Sequence, residues 1–321
     1  MSQAVTLRSM STSPAGPIVT LTLNPALDVS TAVDRVVSRH KLRCEAPRVE
    51  AGGGGVNVAR TITALGGAAT PVYTVGGLTG ERYRLLLHQE GLPGVPISIG
   101  GETRESISVT DRADDEQYRF VFPGPTMTAE ECRRCLDAVA ELLSPGAYLV
   151  VSGSLPPGVP DDFYADVVRL ARSRGARCAV DASGAALALA LDAGVDFAKP
   201  SLRELCQLVG RELETTQQQD AALRELVADG RVGAVALSLG ANGAALATRD
   251  GVLRLPAFDV AERSTVGAGD AFVGAFVLRT VQGRTPADAV RAALAAAAGV
   301  VSSVGTGAPQ RELVERLEAE A

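Results

Sequence analysis

An alternation constrains this chain more than any single motif. For most of its length, short apolar runs rich in β-branched residues are followed by segments in which apolar residues recur every three or four positions. Ile18–Leu23, Thr70–Val75, Tyr148–Ser152, Arg177–Asp181 and Val235–Ser238 read as strands. Val56–Leu65, Gly80–Glu90, Ala129–Leu143, Asp161–Arg174, Gln217–Asp229, Ala271–Thr280, Pro286–Val304 and Pro309–Ala319 read as helices. Strand, helix and strand in succession with short connections close most readily into a parallel sheet covered on both faces. The expectation is an α/β three-layer sandwich forming one domain over residues 18–321, after a flexible Ser- and Thr-rich tail over residues 1–17.

Two excursions, at about residues 28–51 and 100–123, break the pattern with short β-like runs such as Ser106–Thr110 and Gln117–Phe122. They are expected to form a small antiparallel sheet at the open edge of the main one. Ligands of parallel sheets sit at the carboxyl ends of the strands, so such a sheet is placed to act as a lid.

Charge and composition narrow the functions. A net charge of −6 gives no basic field for nucleic acid, and no apolar run approaches the roughly 18 residues of a membrane span. Any bound anion must be held by local groups. Five cysteines, an odd number with no secretory leader ahead of them, read as reduced thiols in the cytoplasm. Cys132 and Cys135 form a C-x-x-C, but it falls in a helical pattern with no second pair or histidine, so packing is the preferred reading. Of 31 basic residues only Lys41 and Lys199 are lysine, and His40 and His88 are the only histidines, neither beside a nucleophile motif.

Two glycine-rich segments carry the chemistry. In Ala51-Gly52-Gly53-Gly54-Gly55-Val56-Asn57, four glycines run directly into a helix, where backbone amides can approach a ligand closely. The spacing fits neither the dinucleotide fingerprint nor a P-loop. In Ser264-Thr265-Val266-Gly267-Ala268-Gly269-Asp270, small residues open an apolar helix and expose amides suited to a phosphoryl group in flight. Asp270 behind them is either a helix-start carboxylate or a base that takes the proton of an attacking hydroxyl. At this level both remain open.

These motifs, with Gly76-Gly77-Leu78-Thr79-Gly80, resemble the ribokinase-like (PfkB) carbohydrate kinases over nearly the whole chain, from Ile18 to about Gly307. Leu21–Asp28, Lys41-Leu42-Arg43-Cys44 and Ser152–Gly158 resemble the 6-phosphofructokinase branch of that family more narrowly. The 1-phosphofructokinases and tagatose-6-phosphate kinases usually carry a lysine inside the glycine run, where this chain has Gly54.

The resemblance implies roles. Asp270 is the general base, and Gly267, Ala268 and Gly269 supply amides to the transferring phosphoryl group. Asp28, Gly52, Gly53, Asn57 and Ser154 bind the sugar, while Arg104, with Lys41 and Arg43 lining the same mouth, holds its phosphate. Lys199, Ser201, Ser238, Gly240 and Gly243 contact ATP. The family's N-x-x-E, which orders Mg²⁺ through water, appears as Ser201-Leu202-Arg203-Glu204, with the Asn replaced by Ser201. Ser264 and Val266, with the Gly305–Gly307 loop, are expected at a K⁺ site. The implied substrates are fructose 6-phosphate and ATP, the implied assembly a homodimer through the lid. Tagatose 6-phosphate or fructose 1-phosphate as acceptor, and a non-catalytic sugar- or nucleotide-binding regulator, are the competing readings.

Overall fold

Burial on both faces is what turns an apolar run into a central strand, and here successive residues serve opposite layers. In Tyr148–Ser152, Tyr148 and Val150 pack into one hydrophobic layer and Leu149 and Val151 into the other. A computed structural model of the protein describes residues 16–303 and 307–320. The expected tail lies largely outside them.

The chain runs β1 (Ile18–Thr22), β2 (Ala26–Val33), β3 (Arg48–Gly52), α1 (Gly54–Ala64), β4 (Ala69–Val75), α2 (Gly77–Gln89), β5 (Val95–Ser98), β6 (Arg104–Asp111) and β7 (Glu116–Val121). It continues through α3 (Ala129–Leu142), β8 (Tyr148–Ser152), α4 (Phe163–Ser173), β9 (Arg177–Asp181), α5 (Gly184–Asp192), β10 (Val195–Ala198), α6 (Leu202–Val209) and α7 (Thr216–Ala228). It ends with β11 (Val232–Ser238), β12 (Ala244–Thr248), β13 (Gly251–Leu255), α8 (Ala268–Val281), α9 (Pro286–Val301) and α10 (Arg311–Glu320).

The main sheet has nine strands in the order β13-β12-β11-β10-β9-β8-β1-β4-β5. It is parallel from β11 to β5 and closes with two antiparallel strands at one edge. Helices α1, α8, α9 and α10 cover one face, and α3, α4, α5 and α7 the other. This is the α/β sandwich expected.

Cys132 and Cys135 lie buried in the second layer, and burial pushes the Cys135 thiol up to about 12. Among the described residues no cluster of His, Cys, Asp and Glu is suited to a metal, and no helix is long and apolar enough to cross a membrane.

The second sheet, β3-β2-β6-β7, differs from expectation in one respect. Strands β2 and β6 pair in parallel, from Ala26 against Arg104 to Val33 against Asp111. The reason is topological. Both excursions leave the carboxyl ends of parallel strands, β1 and β5, and so enter the lid travelling the same way. Helix α9 also stops earlier than its apolar pattern, at Val301, where the Ser302 and Ser303 hydroxyls donate back to the Gly299 carbonyl. Val304 lies outside the described residues.

Candidate active site

Helix α8 begins at Gly267, whose φ of 82° is left-handed and open to glycine with little strain. The helix has no side-chain cap, and the amides of Gly269 and Asp270 have no preceding turn of carbonyls to bond. Two clefts flank this helix start. One, about 970 Å³ with its open mouth, is lined by Lys199, Ser238, Gly240, Gly243, Ala268 and Gly269. Its far end is apolar, with Phe258, Val260, Leu294 and Ala298. The other, about 1220 Å³, lies under the lid and is lined by Asp28, Ser106, Ser108, Arg119, Ser264 and Val266.

Asp270 stands half-buried at the junction. Its Oδ2 accepts a 2.9 Å hydrogen bond from Asn57 Nδ2 and its Oδ1 one of 3.3 Å from Ser152 Oγ. Burial pushes this carboxyl up to about 7, and the Asp181 carboxylate pushes the same way. Asn57, Lys199 and Ser152 pull it partly back. The result is an acceptor poised to take a proton near neutral pH.

Behind it, Lys199 at the end of β10 is buried, with Nζ 3.3 Å from Asp181 Oδ1. Burial pulls the ammonium down, but the Asp181, Asp270 and Glu204 carboxylates together outweigh it and hold Lys199 above its ordinary value, so it stays charged. Nζ also faces Gly269, where a Cβ would sit 3.3 Å away. A fixed cation therefore adjoins the helix amides.

On the lid side, Asp28 on β2 projects over Gly52, where any Cβ would overlap its Oδ2. Burial raises the Asp28 carboxyl to about 6 against the pull of Arg104 and Arg119. Arg104 opens β6 and ties the lid's connections together. It donates through Nε (3.3 Å) and Nη2 (3.1 Å) to the Asn24 carbonyl, and through Nη1 (3.2 Å) to that of Phe122. Ser154 accepts from Asn24 Nδ2 at 3.0 Å nearby.

Of the residues singled out in the sequence, the structure gathers Asp28, Gly52, Gly53, Asn57, Arg104, Lys199 and Gly267–Asp270 around the junction. It does not bring Lys41 and Arg43 there. Both are exposed on the segment beyond β2 and line neither cleft. Ser201 caps α6: its amide and hydroxyl both donate to Glu204 Oε2, at 2.8 Å each, in a capping box. Ser264 accepts from the Val266 amide at 3.3 Å and both line the lid cleft, while Gly305 lies outside the described residues.

Sequence reasoning missed Asp181 and Ser152. The signal was present, since both end strands of a parallel sheet at the carboxyl edge where ligands bind.

A carboxylate at an uncapped helix start beside a fixed cation can take the proton of an alcohol as its oxygen attacks a phosphoryl group. The chain matches the family described as pfkB family carbohydrate kinase over residues 22–313. It is 43% identical over 299 residues to the ATP-dependent 6-phosphofructokinase isozyme 2 of Mycobacterium tuberculosis, covering 93% of this chain and 88% of that one. It is 34% identical over 303 residues to the 1-phosphofructokinase of Rhodobacter capsulatus, covering 94% and 95%. A solved structure of Escherichia coli phosphofructokinase-2 with potassium superposes with a TM-score of 0.92 at 39% identity, covering 95% and 99%. The chain belongs to the PfkB family of carbohydrate kinases.

Proposed function

We propose that this kinase transfers the γ-phosphoryl group of ATP to the 1-hydroxyl of fructose 6-phosphate, giving ADP and fructose 1,6-bisphosphate. The observation that carries the reading is Asp270, held by Asn57 and Ser152 at the helix start between the two clefts. In this reading the sugar lies under the lid, with Asp28 accepting from its hydroxyls and Gly52, Gly53 and Ser154 bounding it. The nucleotide lies along Lys199, Ser238, Gly240 and Gly243. Asp270 takes the proton of the 1-hydroxyl as its oxygen attacks phosphorus. The amides of Gly267, Ala268 and Gly269 meet the charge on the transferring group.

Magnesium bound with ATP would neutralise phosphate charge. Glu204 fits a water-mediated role, because only its Oε2 is engaged by Ser201 and Mg²⁺ keeps most of its own water. On the same family likeness Ser264 and Val266 hold K⁺, and Arg104 meets the sugar's phosphate. A homodimer through the lid would cover Phe120, Val121 and Phe122, all exposed at the β7 edge. The same likeness supports a cytoplasmic location.

The test is Asp270→Asn in an assay that couples ADP release to a signal. Turnover is expected to fall about 10²–10⁴-fold with the sugar-phosphate KM within a few-fold; retained turnover overturns the assignment. The likeness to a 1-phosphofructokinase favours fructose 1-phosphate as the second reading. Comparing kcat/KM for fructose 6-phosphate, fructose 1-phosphate and tagatose 6-phosphate separates them.

A further inference from the structure

One buried cation near the junction, Arg60, lines neither cleft. Arg60 lies one helical turn after Asn57 on α1, and both are about 9% exposed. Each nitrogen of its guanidinium is engaged. Nη1 donates to Asn57 Oδ1 at 2.5 Å, Nη2 to the Ala51 carbonyl at 2.6 Å, and Nε to Glu90 Oε2 at 2.8 Å. Glu90 follows the last turn of α2, so the arginine joins that helix, the end of β3 and the start of α1.

An amide side chain has one accepting and one donating end, and nothing in its shape says which way round it sits. A guanidinium has only donors. Because Arg60 donates to Oδ1, the opposite end of the amide must present Nδ2–H, and that end meets Asp270 Oδ2. If the amide turned over, two donors would face each other at Arg60 and two acceptors at Asp270, each leaving a buried polar atom unpaired.

We propose that Arg60 is a positioning residue for phosphoryl transfer: anchored by Glu90, it locks the Asn57 amide in the one orientation that holds the Asp270 carboxylate in place. It touches neither sugar nor nucleotide and acts through Asn57 alone on the reacting end. Its bond to the Ala51 carbonyl is a separate arm, reaching the Gly52 floor under Asp28.

The inference rests on Asp270 as the base, and the experiment keeps the two ideas apart. Asp270→Asn, Arg60→Gln and Arg60→Lys are assayed in the full chain, and Arg60→Gln again in an Asn57→Ala background. Arg60→Gln is expected to lower kcat 10- to 100-fold with the ATP KM changed less than 3-fold. In the Asn57→Ala background the same change should lower kcat less than 3-fold further, because the amide it orients is gone. Arg60→Lys keeps the charge and the fold but cannot serve three acceptors, and should fall between wild type and Arg60→Gln. It supplies the reading if Arg60→Gln does not fold. A normal kcat in either folded Arg60 variant while Asp270→Asn is inactive overturns the relay and leaves the base assignment standing. Equal fractional losses in both Asn57 backgrounds also overturn it. An active Asp270→Asn removes the foundation instead.

Discussion

Helices α1 and α8 both begin with a glycine-rich run, both have a glycine N-cap with positive φ, and neither has a side-chain cap. In sequence the two look like the same device, backbone amides bared to a ligand. In the structure they do different work. At the start of α1 the glycines are required by packing. A Cβ on Gly54 would overlap Ser152 Oγ, and one on Gly55 would sit 2.6 Å from the Leu21 carbonyl oxygen and 2.7 Å from Thr22 Oγ1. That same threonine hydroxyl accepts the Val56 amide at 3.0 Å, so part of the helix start is satisfied within the protein. At the start of α8, a Cβ on Gly267 would meet nothing nearer than Val300 at 3.8 Å, and Ala268 and Gly269 line the open cleft. One run brings α1 against the sheet so that Asn57 reaches Asp270. The other is the anion hole of the proposed reaction.

Substitutions at the two starts should therefore separate activity from stability. Gly267→Ala imposes a left-handed φ on a residue with a Cβ and tilts the first-turn amides, without meeting a neighbour. A loss in kcat of about 10²-fold or more is expected, the scale of losing one such donor, with a modest loss of stability of about 1–2 kcal/mol. Gly55→Ala forces a methyl against the β1 backbone. It is expected to lower stability by about 1–3 kcal/mol, with the kcat of the folded fraction within a few-fold of wild type. Thermal unfolding and active-site-normalised turnover on both variants check this. A Gly55→Ala protein that is stable but inactive would erase the distinction drawn between the two helices.

This is also where the reading of the sequence reached its limit. Periodicity revealed the long helices, because 10 to 16 residues repeat the pattern often enough to be seen. It passed over β10, which is four residues, and α5, whose Ala- and Leu-rich sequence is apolar all round. The glycine runs were legible as helix starts, but their difference was not, since it depends on Thr22 and Ser152, which are 34 and 98 residues from the helix start at Val56 and Gly54 respectively. Asp181 could be marked by its place at the end of a strand, but its pairing with Lys199 emerges only once β10 sets the two side by side. Lys41 and Arg43 are the reverse case. Their scarcity and family likeness suggested the mouth of the cleft, yet within one chain the segment beyond β2 carries them into solvent.

The contact between the two helix starts makes a smaller prediction about pH. With the Asp270 carboxyl at about 7, the base is protonated in acid, so kcat/KM should fall as pH drops through about 7. Asn57 donates to the ionised form and holds that value down. Asn57→Ala should move the acid limb upward by roughly 0.7 pH unit, the equivalent of one hydrogen bond of about 1 kcal/mol. A limb that stays in place would show that Asn57 touches Asp270 without tuning it.

The smallest effect concerns what the α8 arrangement costs the fold. The Asp270 carboxyl is raised in the native state from an ordinary value of 3.8, so ionising it favours the unfolded chain. Below pH about 4 the group is protonated in both states and imposes no penalty; above about 7 it is ionised in both and the penalty is complete. Asn resembles the protonated carboxyl in shape and charge. Asp270→Asn should therefore raise the unfolding midpoint at pH 8, by a free energy on the order of 1 kcal/mol once its partial solvent contact is allowed for. The gain should shrink toward zero as the pH falls to 4. At α1, Gly55→Ala should instead destabilise by the same amount at both pH values, because a steric overlap does not titrate. Unfolding curves for both variants at pH 4 and pH 8 make the comparison, and a pH-independent gain for Asp270→Asn would mean that the base bears no cost of burial.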